Sequence, residues 1–204
     1  VARKRKANRR EQITNAAIQV FAEKGFYQSR ISDIAERAGV AYGLVYHYFA
    51  NKEEILLSIF VERWAVILQY IEDTFNTPTL SAEEKLREIL KFIFTIYKEN
   101  SALAEVIVLE ILRGESLMRE EVVRGFQQAF RGLSAIIQEG QRKGEFRNDF
   151  HPDIFTLFLF GGAEITFTAL ALKIIPKERM DPDSFSRAFI HFLLHGARPS
   201  SSGG

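Results

Sequence analysis

Apolar residues recur at helical spacing from one end of this chain to the other. Ile13, Ala16, Ala17, Val20 and Phe21 make one stripe, which predicts a helix from about Arg9 to Lys24 that Gly25 stops. Ile31, Ile34, Ala35 and Ala38 fall at i, i+3, i+4 and i+7 and predict a second helix. Ser29 is placed to cap it, with Arg30 on the exposed side of its first turn. A tight turn at Gly39 leads to a brief third helix, about Ala41 to Tyr48. Leu44 and Val45 face its core side, with Phe49 four residues after Val45. Tyr42, Gly43, Tyr46 and His47 are left on the other side.

From Asn51 the helical pattern continues without Gly or Pro to about Asn76. Asn51 caps this helix, Glu53 and Glu54 favour its dipole, and Ile55, Ile59, Phe60, Trp64, Ile67 and Ile71 form its inner face. At about 1.5 Å per residue it spans more than about 30 Å. Ser81 and Glu84 then form a capping box before a helix running to about Glu99, with Leu86, Leu90, Phe92, Ile93, Phe94 and Tyr97 on its apolar face. A further helix is expected from about Ala102 to Arg113. A long one follows from Ser116 to near Gly144, with Val122, Val123, Phe126, Phe130, Leu133, Ile136 and Ile137 inward. Pro152 opens the next, and Asp181-Pro182 opens the last, which carries Phe185, Phe189, Phe192 and Leu193.

The stretch Ile154–Leu172 has a single charge, Glu164, and is long enough to suggest a membrane span. Gly161, Gly162, its threonines and the lack of aromatic belts with Lys/Arg flanks argue for a soluble helix instead. With no polar face, it must be covered on two sides. One cover is its own bundle; a second subunit is the simplest other cover.

Charge changes the picture at the N-terminal end. Residues 1–52 carry ten Lys/Arg against four Asp/Glu, a balance of +6, and residues 53–204 carry 17 against 22, a balance of −5. The whole-chain net charge of +1 therefore hides a basic head on an acidic body, and a basic head suggests a polyanionic partner. The absence of cysteine removes disulfides, thiolate metal sites and Cys nucleophiles. His191 and His195 are four apart but flank an apolar FLL without a nearby carboxylate, so no metal or other cofactor is expected. No paired Glu-x-x-His pattern of a helical-bundle enzyme occurs either. No apolar leader segment follows the basic start, which with the soluble reading leads to a cytoplasmic expectation and no membrane partner. The low-complexity end, 198–204, is expected to be disordered.

Helix, glycine turn and a short helix with aromatic hydrogen-bonders outward is the arrangement of a helix-turn-helix that lays its second helix in the major groove. The segments AA-x-x-x-F-A-E-K-G-F, I-A-E-R-A-G-V and V-Y-H-Y-F-A-N-K-E-E, about 45 contiguous residues, resemble the DNA-binding domain of TetR-type transcriptional repressors. Ala41 departs from that pattern, which usually has a hydroxyl cap there; the departure weakens the cap by about 1 kcal/mol at most. The resemblance implies an all-α protein of about nine helices. A three-helix DNA-binding domain at 1–50 would precede a larger bundle at 51–197 for ligand binding and dimerisation. Its implied partners are double-stranded operator DNA, a second copy of the chain and a small apolar effector.

The DNA contacts expected on this basis are Lys4, Arg5, Lys6, Arg9, Arg10, Ser29, Arg30, Tyr42, Gly43, Tyr46, His47, Tyr48 and Lys52. Lys52 matches a phosphate-contacting position of the family, and lysine beside helix-end amides suits a phosphate. Dimerisation through the last two helices would place Phe158, Gly161, Gly162, Ile165, Phe189 and Phe192 in an interface. The stretches LEILRGESLMREEVVRGF and EGQRKGEF resemble the acyl-CoA-responsive fatty-acid-degradation repressors of that family. On that resemblance Trp64, Phe92, Phe126 and Phe158 would line an acyl tunnel. Arg113 and Arg119 would meet coenzyme A phosphates or pair with nearby glutamates, and Glu164 would orient ligand or pair with a buried arginine. The alternatives are a regulator of an efflux pump that responds to hydrophobic drugs, and a helical ligand carrier that binds no DNA.

Overall fold

A computed structural model describes residues 2–110 and 119–195. Among the described residues there are nine α-helices and no strand. In order they are α1 (Ala2–Lys24), α2 (Ile31–Ala38), α3 (Tyr42–Tyr48), α4 (Lys52–Phe75), α5 (Ala82–Glu99), α6 (Ser101–Glu110), α7 (Glu120–Lys143), α8 (Pro152–Ala171) and α9 (Pro182–His195), with a 3-10 turn at Lys177–Arg179 before the last. The all-α expectation holds. Arg113, Ser116 and the 198–204 tail lie outside the described residues, so the ends predicted there for α6 and α7 do too.

By packing, the chain divides into two compact units, Val1–Ala65 with Ser101–Val123 and Val66–Asn100 with Arg124–Gly204. This division runs through α4 and α7, whereas the division expected from sequence was one of role, at residue 50.

In the first unit, the predicted stripes become the core. Ile13, Ala17, Val20 and Phe21 of α1, Ile34, Ala35 and Ala38 of α2, Val45 of α3, Phe49, and Ile55, Ile59 and Phe60 of α4 are all buried. Gly39 ends α2 at φ 60, where a side chain would be strained, and its N–H returns to the helix carbonyls. One element differs from expectation: α1 begins at Ala2 and not near Arg9, so the basic N-terminal stretch has helical backbone.

In the second unit, Ser81 and Glu84 form the expected reciprocal cap of α5. Ser81 Oγ accepts from the Glu84 N–H at 3.2 Å, and the Glu84 carboxylate accepts from the Ser81 N–H at 2.8 Å. Leu86, Leu90, Phe94 and Tyr97 are buried, as are Val122 (in the first unit), Leu133, Ile136 and Ile137 on α7. Lys85 is an unexpected member of this core. Its ammonium donates to the Phe75 carbonyl at the C-terminus of α4 (2.8 Å) and to Glu139 of α7 (3.1 Å). A cation there satisfies an orphan carbonyl and matches the negative end of the helix dipole.

Helix α8 inverts the usual arrangement. Its buried positions include Thr156, Thr166 and Thr168, and two of these return their hydroxyls to its own backbone, Thr156 to the Pro152 carbonyl and Thr166 to the Gly162 carbonyl. Ile154, Leu157, Phe158 and Ile165 are all about half or more exposed. Thr156 and Thr166 lose little by burial because their hydroxyls find acceptors four residues back. The large apolar side chains stay only partly covered by the other described residues. Among the described residues α8 is also the one helix long and apolar enough to cross a membrane by length and composition.

Candidate nucleic-acid interface

The outer face of α3 is built by its neighbours. Val45 and Phe49 anchor the seven-residue helix in the first unit's core, at 0 % and 2 % exposure, and this anchoring fixes which side faces out. Ala41 supplies no side-chain cap, as its chemistry requires. Tyr42, Gly43, Tyr46 and His47 are exposed as expected, while Tyr48 is half-buried with its ring edge-on to His47 at 5.2 Å. The hydroxyls of Tyr42 and Tyr46 lie 3.1 Å apart and their rings meet edge-to-face at 5.2 Å. That hydrogen bond holds the Tyr46 phenol above its ordinary pKa, so it stays neutral near pH 7.

Helix α2 is held against α1 by polar ties, among them the Gln12 amide donating to the Ala38 carbonyl at 2.6 Å. Arg37 binds Glu23 (2.8 Å) and Gln19 (3.2 Å), and Lys24 pairs with Asp33 at 3.0 Å. The Lys24 ammonium, then the Arg30 N–H, hold the Asp33 carboxyl below its usual range. Asp33 therefore caps α2, accepting from the Arg30 N–H at 2.9 Å.

Several residues expected at the interface are used differently. Ser29 does not cap α2; it is buried, and its hydroxyl donates to the Gly25 carbonyl at 2.6 Å. The chain turns one residue later than expected, making Arg30 the cap position and leaving its side chain exposed. Lys52 points its ammonium at three carbonyls of the α1–α2 loop, those of Phe26 (2.9 Å), Tyr27 (3.1 Å) and Ser29 (3.5 Å), and sits 4.6 Å from the centre of the Phe26 ring. Arg10 binds Glu62 and Ser58 of α4 and lies over the Phe49 ring. Arg9 is exposed and reaches Gln12. The side chains of Lys4, Arg5 and Lys6 lie outside the described residues.

Arg9, Arg10, Arg30, Tyr42, Gly43, Tyr46 and His47 are thus exposed, and Arg10, Ser29 and Lys52 also bond to other residues of the first unit. Sequence reasoning passed over Tyr27, whose ring is 78 % exposed. It lies in a loop, where no periodicity marks a residue's side.

A short helix anchored behind Val45, following α2 across a glycine turn, is helix-turn-helix geometry. Comparison with known proteins agrees. The profile of bacterial regulatory proteins of the tetR family matches residues 13–59, and that of the tetracyclin repressor-like C-terminal domain matches 83–183. A fatty acid metabolism regulator protein of Bacillus subtilis is 30% identical over 196 residues, 95% of this chain and 97% of that protein.

The chain belongs to the TetR family. Among solved structures, the transcriptional regulator FadR from Bacillus subtilis in complex with stearoyl-CoA superimposes with a TM-score of 0.79 at 29% identity, covering 92% of this chain and 99% of that one. The fatty acid degradation regulator FadR from Bacillus halodurans gives 0.80 at 29% identity, covering 93% and 96%. As a TetR-family regulator this protein binds DNA through its helix-turn-helix and is not an enzyme.

Of the residues expected to line an effector tunnel, Trp64 belongs to the first unit and Phe92, Phe126 and Phe158 to the second. Phe92 stacks on Tyr70 with ring centres 3.9 Å apart, and Phe158 points outward at 67 % exposure. Trp64, in the first unit, stacks on Phe60. Glu164 is exposed and not buried beside an arginine. Arg119 is exposed just before α7, and Arg113 lies outside the described residues. Phe126 instead meets Phe160 at 5.5 Å in an open cleft of about 510 Å³, lined also by Gln127, Phe130 and Arg131. Arg131 went unnoticed in the sequence because a single arginine on an amphipathic helix looks like any solvated one.

Proposed function

We propose that this TetR-family protein is a homodimeric repressor that binds a palindromic operator and leaves it when a long-chain acyl-CoA occupies its second unit. One observation carries the dimer: α8 turns Ile154, Leu157, Phe158, Gly161 and Ile165 outward while its threonines face in. In a water-soluble regulator, large apolar side chains on one stripe are covered by a partner, and a second copy covers them with the same stripe. Phe192 of α9, 58 % exposed, extends the surface. Gly161 has open space where a Cβ would stand, so a facing helix can approach there, whereas Gly162 is already filled by Phe189 of the same chain, 2.5 Å from a built Cβ. The Gly162–Phe189 pair therefore shapes the surface from behind. Two copies related by a two-fold place two α3 helices at half-sites about one turn of DNA apart, roughly 34–36 Å.

The effector reading is supported by the 30% identity to a fatty acid metabolism regulator and by the stearoyl-CoA bound to the Bacillus subtilis FadR. In this chain the Phe126–Phe130–Phe160 cleft offers an acyl chain apolar walls, and Arg131 at its edge offers a phosphate or carbonyl a cation. Release works as a population shift. Acyl-CoA binds better to a state in which α4, which begins directly after the helix-turn-helix, no longer sets the operator spacing. A tenfold loss of operator affinity requires only about 1.4 kcal/mol of coupling.

Titration of the protein–operator complex with acyl-CoAs of increasing chain length tests this. Release that strengthens with chain length supports it; operator affinity unchanged across the series rejects acyl-CoA as the effector.

A further inference from the structure

The outer face of α3 lacks the side chains that most often read bases. Tyr42, Gly43, Tyr46 and His47 are exposed there, and no Arg, Lys, Asn or Gln occurs anywhere in the helix. Bidentate recognition of guanine by Arg or Lys, and of adenine by Asn or Gln, is therefore unavailable to α3. What it offers is a pair of phenol rings about half exposed, at 54 % and 47 %, locked together edge-to-face. Their hydroxyls share one hydrogen bond at 3.1 Å, which uses one of the two donors and ties the rings into a single surface whose ring carbons are also presented. In the major groove the complementary apolar feature is the C5-methyl group of thymine.

Gly43 is the second observation. It sits in the first turn of the helix with ordinary helical backbone, and a Cβ built on it meets nothing within 4 Å. Neither conformation nor internal packing calls for glycine, although glycine disfavours a helix interior relative to alanine. The open space matters only to a body arriving from outside, close to the backbone between the two tyrosines.

We propose that Tyr42 and Tyr46 act as one rigid apolar reader of thymine methyl groups, with Gly43 as the point where α3 reaches the groove floor. This rests on the family's DNA binding and adds the base class that α3 selects. His47, beside the pair, contributes single hydrogen bonds.

The test starts from a pool of randomised duplexes, from which the full-length protein selects its sites at fixed salt. The enriched half-sites should carry thymine at positions facing α3. Replacing those thymines by deoxyuridine removes only the methyl and should weaken binding roughly fourfold per methyl buried. In Tyr42→Ala the penalty from deoxyuridine should vanish, while circular dichroism shows the fold kept because Val45 and Phe49 are untouched. Gly43→Ala should leave thermal stability equal or higher yet bind selected sites at least several-fold more weakly. Unchanged affinity on deoxyuridine sites, or full affinity in Gly43→Ala, overturns the proposal and leaves DNA binding standing. Failure to enrich or retain any duplex would overturn the DNA-binding reading with it, a result plainly different from the first.

Discussion

Two faces of this molecule expose large rings and side chains to solvent, one on α3 and one on α8, and they are chemically opposite. On α3 the exposed rings carry hydroxyls and have an imidazole beside them, within the basic segment 1–52. On α8 the exposed side chains are aliphatic or phenylalanine apart from Glu164, and the hydroxyl-bearing threonines are among the buried ones. A face that keeps hydrogen-bonding groups outward suits a partner that is itself wet and charged. A face that turns them inward suits a partner with which it forms a dry contact. Exposure alone would class the two together; the disposition of the polar atoms separates them.

The comparison is broken most severely by placing a charge on the dry face. Phe158→Glu should weaken the dimer by about 3 kcal/mol or more, at least about a hundredfold in dissociation constant, because each copy would bury an unpaired carboxylate. Sedimentation equilibrium measures it. A variant that remains dimeric at wild-type strength would show that α8 is not the interface.

Lys52 asks whether a basic side chain in the head serves DNA or the fold. Its ammonium is held by three carbonyls and the Phe26 ring, so Lys52→Met should cost about 1–2 kcal/mol in stability and leave the salt slope of operator binding nearly unchanged. Exposed Arg30 is the control: Arg30→Ala should leave stability alone and lower that slope by about 1. A reduced slope in Lys52→Met would return that lysine to the phosphates.

A smaller effect is expected at Glu164, the one carboxylate on the outer stripe of α8, which forms no hydrogen bond or ion pair with the other described residues. Glu164→Leu should tighten the dimer by about 1 kcal/mol, by removing the desolvation of a charge. A loosened dimer in that variant would mean that the carboxylate meets a cation of the second copy.

Acidification gives the mildest change and touches both units. Asp33 is held below its ordinary pKa by Lys24 and the Arg30 N–H, and Glu139 by Lys143 and then Lys85. A depressed folded-state pKa contributes stability that is complete above the unfolded value, about 4, and is lost as pH falls through the lower folded value. Asp33→Asn and Glu139→Gln should therefore each lose stability at pH 7 but flatten the fall seen between roughly pH 5 and 2. Thermal melts across that range measure both.

Helical periodicity alone located most of the core residues of α1, α2, α4, α5 and α7, because a repeat of 3.6 residues puts an apolar stripe on one side whatever that side then meets. It missed buried Leu56, Leu57 and Ile89, and Phe92, Phe126 and Phe130 are only half-buried. Caps carried by one side chain and its near neighbours, at Ser81–Glu84, Asn51 and Asp181, were equally legible. The charge asymmetry marked the head. What sequence could not decide was how each long polar side chain is used. Arg10 and Lys52 read as basic residues for a polyanion, yet their partners are 48 to 52 and 23 to 26 residues away in the chain. Ser29 and Asp33 both had capping chemistry, and only the path of the loop, pulled inward at Ser29, selected Asp33. Helix α8 shows the limit most clearly. Its composition announced a helix needing cover on two sides, but which residues face in depended on threonine hydroxyls finding carbonyls four residues back and on Phe189 filling the space above Gly162. Local chemistry set the elements, and contacts between residues distant in the chain set the direction each one faces.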